Sequence, residues 1–234
     1  MSMETVVRFE KLLPSGWELC MLVVRLPERG ALVYSPTWLG EDTFARVDAI
    51  GEPRVLVAPN HFHHLSLARF HERYPSAKVV CGTTALPRLR AKGYDYVAPV
   101  SEAADLLPSG AAFLECEGTR AGETFLSLPS TNGDSGRTWL ACDAFFNVER
   151  PVTGITGVGL RALKTTPGLS IGQTFRWLAL KEERAYAAWL VAAIAREKPT
   201  RLYLSHGEPI ASPELPARLA ALAKSRLAEP KGGY

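Results

Sequence analysis

Residues 54–82, RVLVAPNHFHHLSLARFHERYPSAKVVCG, constrain the fold of this chain more than any other stretch. The apolar run 54–59 is too short for a buried helix and ends at Pro59-Asn60, so it reads as a strand. An amphipathic stretch from Leu65 to Tyr74 follows and stops before Pro75; residues 77–82 return to an apolar strand. Strand, helix and strand so closely spaced predict a β-α-β unit with parallel pairing, and hence an α/β fold.

The flanking sequence agrees. Residues 17–26 and 31–36 are β-rich runs separated by the hairpin-like break PERG, and 41–51 predicts a short helix closed by Gly51. Strands are expected again within 111–145, interrupted by the turn-formers of 130–137, and residues 150–172, rich in Gly, Thr and Pro, predict an irregular loop. Residues 183–198 place Tyr186, Trp189, Leu190, Ala193 and Ile194 on one helical face. Residues 201–210 read as a strand running into a loop at His206. In the last helix Ser212 is the expected N-cap, with Pro213 at the first helical position. Strand blocks alternating with helices predict two packed sheets with helices outside, in one domain over 1–234.

Four of the five histidines lie within 55–75, and His61, His63 and His64 occupy four consecutive positions with Phe62. Neutral imidazoles and carboxylates suit a borderline cation such as zinc. Two further strand ends carry ligand-type residues: ACDAFF around Asp143 and LSHGEPI around His206. His61 and His63, two apart on an extended or turning backbone, can aim at one point. Asp143 has an alternative role capping the following turn, and His206 one tying its loop to a carbonyl. His71, on the helix, reads as an exposed residue; Trp38 and Trp177, with loop-like neighbours, read as pocket walls.

Several function classes are disfavoured. A net charge of +3 with scattered Lys and Arg argues against nucleic acid as a partner. No apolar stretch approaches the roughly 20 residues of a membrane span. The N-terminal residues lack a basic region leading into an apolar segment, so the expected compartment is the cytoplasm. The four cysteines (Cys20, Cys81, Cys116, Cys142) have no CxxC spacing and read as small core residues. The Gly-rich run 153–159 lacks the Lys-Ser/Thr ending of a phosphate loop. A small-molecule substrate is the expected partner.

At HFHHLS, ACDAFF and LSHGEPI the chain resembles the metallo-β-lactamase-fold superfamily, over roughly residues 16–212. HFHHLS is similar to the start of its H-x-H-x-D-H motif, with His61 and His63 as the first two histidines. ACDAFF resembles the segment of the bridging aspartate, at Asp143, and LSHGEPI the final histidine motif, at His206. The resemblance implies a four-layer αββα sandwich with a metal site on one edge between the sheets. It also implies departures: Leu65 and Ser66 stand where the family has aspartate and histidine, and PSTNGDSG holds no histidine where another is found. His64, as in an uncharacterised branch with a His-His pair, and Asp134 are the stand-ins that remain. The implied function is a metal-dependent hydrolase with one zinc or other divalent transition-metal ion on His61, His63 or His64, Asp143 and His206. Asp143 would have the catalytic role, acting on an ester, lactone, thioester or phosphoester. The alternative is a binding protein that keeps the sandwich without hydrolysis.

Overall fold

The structure, a computed structural model, describes residues 5–130 and 136–227. Asp134 lies outside them. The first sheet has six strands in sequence order: β1 (Val6–Leu12), β2 (Glu18–Arg25), β3 (Gly30–Tyr34), β4 (Glu52–Ala58), β5 (Lys78–Cys81) and β6 (Ala98–Pro99). β1, β2 and β3 pair antiparallel, and β3 to β6 run parallel. The parallel half is where α1 (Thr43–Asp48), α2 (Leu67–Arg73) and α3 (Leu86–Arg90) make the crossovers. The β-α-β unit read from 54–82 is therefore β4-α2-β5.

The second sheet contains β7 (Ala112–Glu115), β8 (Thr124–Pro129), β9 (Arg137–Ala141), β12 (Pro199–Leu204) and β13 (Ile210–Ala211), in the order β13-β12-β9-β8-β7. β9 and β12 are parallel neighbours, so their C-terminal ends emerge side by side. A two-stranded ribbon of β10 (Phe146–Val148) and β11 (Gly168–Ser170) lies between them in sequence. α4 (Gly154–Ala162), α5 (Glu183–Glu197) and α6 (Leu215–Leu227) complete the chain.

The period-2 alternation of the strands divides the core into layers. Leu22, Val24, Leu32, Tyr34, Val55 and Val57 face Leu126, Leu128, Leu140 and Cys142 across the two sheets. Their alternates Met21, Val23, Val33 and Leu56 pack on Leu67, Phe70 and Leu89 of the first helical layer. Phe125, Trp139 and Ala141 pack on Tyr186, Leu190, Leu215 and Leu219 of the second. This is a four-layer αββα sandwich. All four cysteines are buried and free. No helix among the described residues is long and apolar enough to cross a membrane.

Two local expectations need correction. Residues 154–162, expected as irregular, form α4. Gly157 serves close packing there rather than breaking the helix: a Cβ would lie 1.8 Å from the Val152 carbonyl oxygen. The last helix starts at Leu215 rather than Pro213; the Ser212 hydroxyl accepts from Glu214 N in the preceding turn.

Candidate metal centre

Three chain segments leave their strands at one edge of the sandwich. β4 runs into Pro59-Asn60 and the histidine turn, β9 into Cys142-Asp143, and β12 into Ser205-His206. The first belongs to one sheet and the other two to its partner. Backbone N–H of Thr124 donates to Pro59 O at 2.8 Å, and the buried Tyr34 hydroxyl donates to Thr124 O at 2.8 Å, fixing the sheets together at this edge.

His63, Asp143 and His206 converge. Asp143 Oδ1 lies 3.3 Å from His63 Nε2 and 3.3 Å from His206 Nε2, and the two imidazole nitrogens are 3.3 Å apart. The three donor atoms make a triangle whose edge matches the roughly 3.3–3.4 Å between ligands of a tetrahedral ion with bonds of about 2.0–2.1 Å. Cys142 belongs to the same group, whose ligand atoms all fall within 4.8 Å of one another. Its side chain, however, points into the inter-sheet core, and burial followed by the Asp143 and Glu123 carboxylates pushes its thiol well above the ordinary range.

Each member of the triangle is braced. His63 Nδ1 shares a 2.8 Å hydrogen bond with the hydroxyl of buried Ser35, which leaves Nε2 turned to the triangle. Ser35 holds φ at +57°, an uncommon value for a non-glycine residue that recurs at functional sites. His206 is held between Trp17 and Phe146, with ring centroids at 5.2 and 5.5 Å. Burial alone would lower the His63 pKa, but the Asp143 charge and hydrogen bond raise it. Burial would likewise raise Asp143; His63 and His206 hold it well below the usual carboxylate range.

Two residues that sequence reasoning passed over hold this geometry. The fully buried Asn60 carboxamide accepts from Phe62 N at 2.9 Å and His63 N at 3.2 Å. Its amide nitrogen donates to Asp143 Oδ2 at 2.9 Å and to Glu123 Oε2 at 2.6 Å. One planar group thus fixes the His63 backbone and the Asp143 side chain together. Glu123, also fully buried, accepts from Cys142 N at 3.0 Å and Ala144 N at 3.3 Å, bracketing Asp143 from behind. Burial and the neighbouring Asp143 charge push the Glu123 carboxyl up to about 8. An Asn directly after a strand-ending proline, and a Glu opening an apolar strand, are the signals that mark them.

The structure does not bring His61 or His64 to the triangle, which corrects the expectation that His61 and His63 act as a pair. The Asn60-centred turn keeps the backbone from being extended, so alternate residues diverge. His61 Nδ1 donates to Ala121 O at 3.0 Å, and its Nε2 faces Arg88 Nη1 at 3.5 Å; burial, Arg88 and Lys92 lower its pKa. His64 Nε2 accepts from Lys92 Nζ at 2.6 Å, and its Nδ1 bonds the Tyr94 hydroxyl at 3.0 Å. Leu65 is 87% exposed, and Ser66 Oγ accepts from Trp38 N. His71 is half-buried, stacked on Tyr96. Trp38 lies under the Arg69 guanidinium and against Phe44.

The loop after His206 depends on Gly207, at φ +102°, where a Cβ would sit 2.1 Å from Asn147 O. Asn147 straps this loop, donating from its N to His206 O at 3.2 Å and accepting from Glu208 N at 2.8 Å. Gly207→Ala is expected to cost about 2–5 kcal/mol in urea unfolding, from backbone strain plus overlap, because the obstacle is backbone. A loss under about 1 kcal/mol would show that the loop yields easily.

No family model and no curated protein matches the chain. Solved structures do. The DIM-1 metallo-β-lactamase superposes with a TM-score of 0.63 at 12% identity, over 96% of this chain and 95% of that one. A metallo-β-lactamase from Erythrobacter litoralis gives 0.61 at 15% identity, over 96% and 91%. The FIM-1 enzyme from Pseudomonas aeruginosa, in its mono-zinc form, gives 0.59 at 12% identity, over 96% and 92%. Likeness across whole chains at such low identity speaks for the architecture rather than for shared chemistry, and that architecture is the metallo-β-lactamase fold.

Proposed function

We propose that the protein is a metal-dependent hydrolase with a single-ion centre formed by His63, Asp143 and His206, acting on a small ester, lactone, thioester or phosphoester. The observation that carries this reading is the 3.3 Å triangle of two imidazole nitrogens and a carboxylate oxygen. Two nitrogens converging on one carboxylate oxygen suit a shared cation, and the similar FIM-1 enzyme has a mono-zinc form, so a scaffold of this kind can hold one ion. Zinc is the favoured ion for this donor set.

A bound divalent ion supplies Lewis acidity and lowers the pKa of water toward neutrality. The protein supplies the rest. His63 and His206 would hold the ion through Nε2, the former oriented through Ser35 and the latter through Trp17 and Phe146. Asp143 contributes negative charge through Oδ1, while Asn60 occupies Oδ2 and prevents the carboxylate from rotating. With Leu65 and Ser66 outside the centre, a second ion has no comparable ligand set among the described residues.

Metal analysis of protein made without a histidine tag is the direct test. About one equivalent of zinc is expected after dialysis, with hydrolysis of simple esters that disappears on chelation and returns with zinc. One retained equivalent without turnover on a broad ester, lactone, thioester and phosphoester panel would favour the binding-protein alternative. No retained ion at neutral pH would remove the metal centre altogether.

A further inference from the structure

A cavity of about 190 Å³ opens directly beside Asp143. Its walls are Phe62, Phe146, Phe175, Leu178 and Ala179, with Thr174 at its edge. Phe146 is the ring stacked on His206, so the cavity and the ligand triangle share a wall. Phe175–Ala179 forms a single π-helical turn, closed by Leu180 N donating to Phe175 O at 3.2 Å. Such turns often mark functional sites. This one buries Phe175 and Ala179 and leaves Leu178, another lining residue, 60% exposed. Phe62, from the histidine turn, is a further lining residue and 40% exposed.

Resting on the hydrolase reading, we propose that this cavity is a substrate subsite for one uncharged apolar group, of phenyl size or a short acyl chain. Size sets the first limit. An engineered cavity of about 150 Å³ lined by Leu, Ile and Phe accepts benzene, whereas whole-ligand pockets span roughly 300–1,000 Å³. The cavity therefore takes one group and leaves the remainder of the substrate over the triangle. Charge sets the second limit. The sole ionisable group in the lining is Asp143, and both its oxygens are already engaged by His63, His206 and Asn60. An ammonium would find no carboxylate there that is not already engaged, and a carboxylate would find no cationic side chain among the apolar walls.

A second apolar groove, about 970 Å³, is lined by Val191, Ile194, Pro213, Pro216 and Ala220 between α5 and α6. It is the control for any apolar probe. Binding of 4-fluorotoluene to the full chain, followed by ¹⁹F NMR, is expected to weaken at least fivefold in Leu178→Asp and in the double variant Phe62→Ala/Leu178→Ala. It should be unchanged in Val191→Asp. All these positions are exposed, so the variants should fold, which thermal unfolding checks. In parallel, zinc-loaded protein is expected to hydrolyse methyl phenylacetate at least tenfold more efficiently than methyl acetate, a preference lost in Leu178→Asp. Absence of probe binding, or binding abolished by Val191→Asp and untouched by Leu178→Asp, overturns the subsite. Leu178-dependent binding with no zinc-dependent turnover of either ester keeps the subsite and counts against the hydrolase reading instead.

Discussion

Zinc is expected to raise the thermal midpoint by about 5–11 °C at about pH 8 and by almost nothing near pH 5. Saturation at about 100 times Kd stabilises by about 2.7 kcal/mol, and each kcal/mol moves the midpoint of a chain this size by roughly 2–4 °C. The pH dependence follows from His63. Asp143 raises its pKa against the lowering effect of burial. In metal-free protein the His63–Asp143 pair therefore contributes stability below the unfolded value of about 6.5, lost as pH rises through the folded value. Zinc needs the ring deprotonated. It replaces the proton where the proton leaves, so the gap between loaded and metal-free protein opens with rising pH. His63→Ala and His206→Ala should each close the gap at about pH 8, whereas His61→Ala and His64→Ala should leave it open. The reverse pattern, with His61 required and His206 dispensable, would refute the triangle as the binding site.

The second large effect is expected at Asn60. Asn60→Ala strands two part-buried backbone donors, Phe62 N and His63 N, and takes the shared amide from Glu123 and Asp143. Leaving such polar groups unpaired costs about 1–3 kcal/mol each, more for a charged one, so a midpoint lower by about 10 °C is expected. Asn60→Asp keeps the acceptor for the two backbone groups but replaces the shared amide donor with a further carboxyl group facing Asp143 and Glu123, so it should fare no better. Urea unfolding of both variants within about 0.5 kcal/mol of the unaltered protein would mean that the hub is dispensable.

The sandwich was legible because its strands are near-continuous apolar runs of fixed length, bounded by Pro, Gly and Asn. Those signals survive any tertiary context. Asp143 and His206 were legible for a related reason: each is a ligand-type residue directly after such a run. His61 was misplaced because H-x-H spacing specifies a shared direction only on a defined backbone. The backbone here is set by a side chain, Asn60, whose bonds reach Asp143 and Glu123 more than sixty residues away. Glu123 was missed because a carboxylate opening a strand usually faces water, and only the closing of two sheets over it makes it internal. α4 was missed because glycine reads as a helix breaker until the Val152 carbonyl that needs the space is in view.

Arg8 on β1 bears on how the centre works in time. Its guanidinium pairs with Glu10 and Glu18 on the first sheet and donates to Gly207 O at 3.1 Å, with Glu208 at 3.4 Å, on the second. This tie spans the seam one residue beyond His206. The halves of the ligand set, His63 from one sheet and Asp143 with His206 from the other, are thereby kept in register by folding itself. On the metal-centre reading, the donors of both sheets stand in place before an ion arrives. Its capture rate should therefore be governed by the shedding of its own hydration shell, and its escape by the rate at which water and protons reach the buried donors, not by breathing of the two sheets.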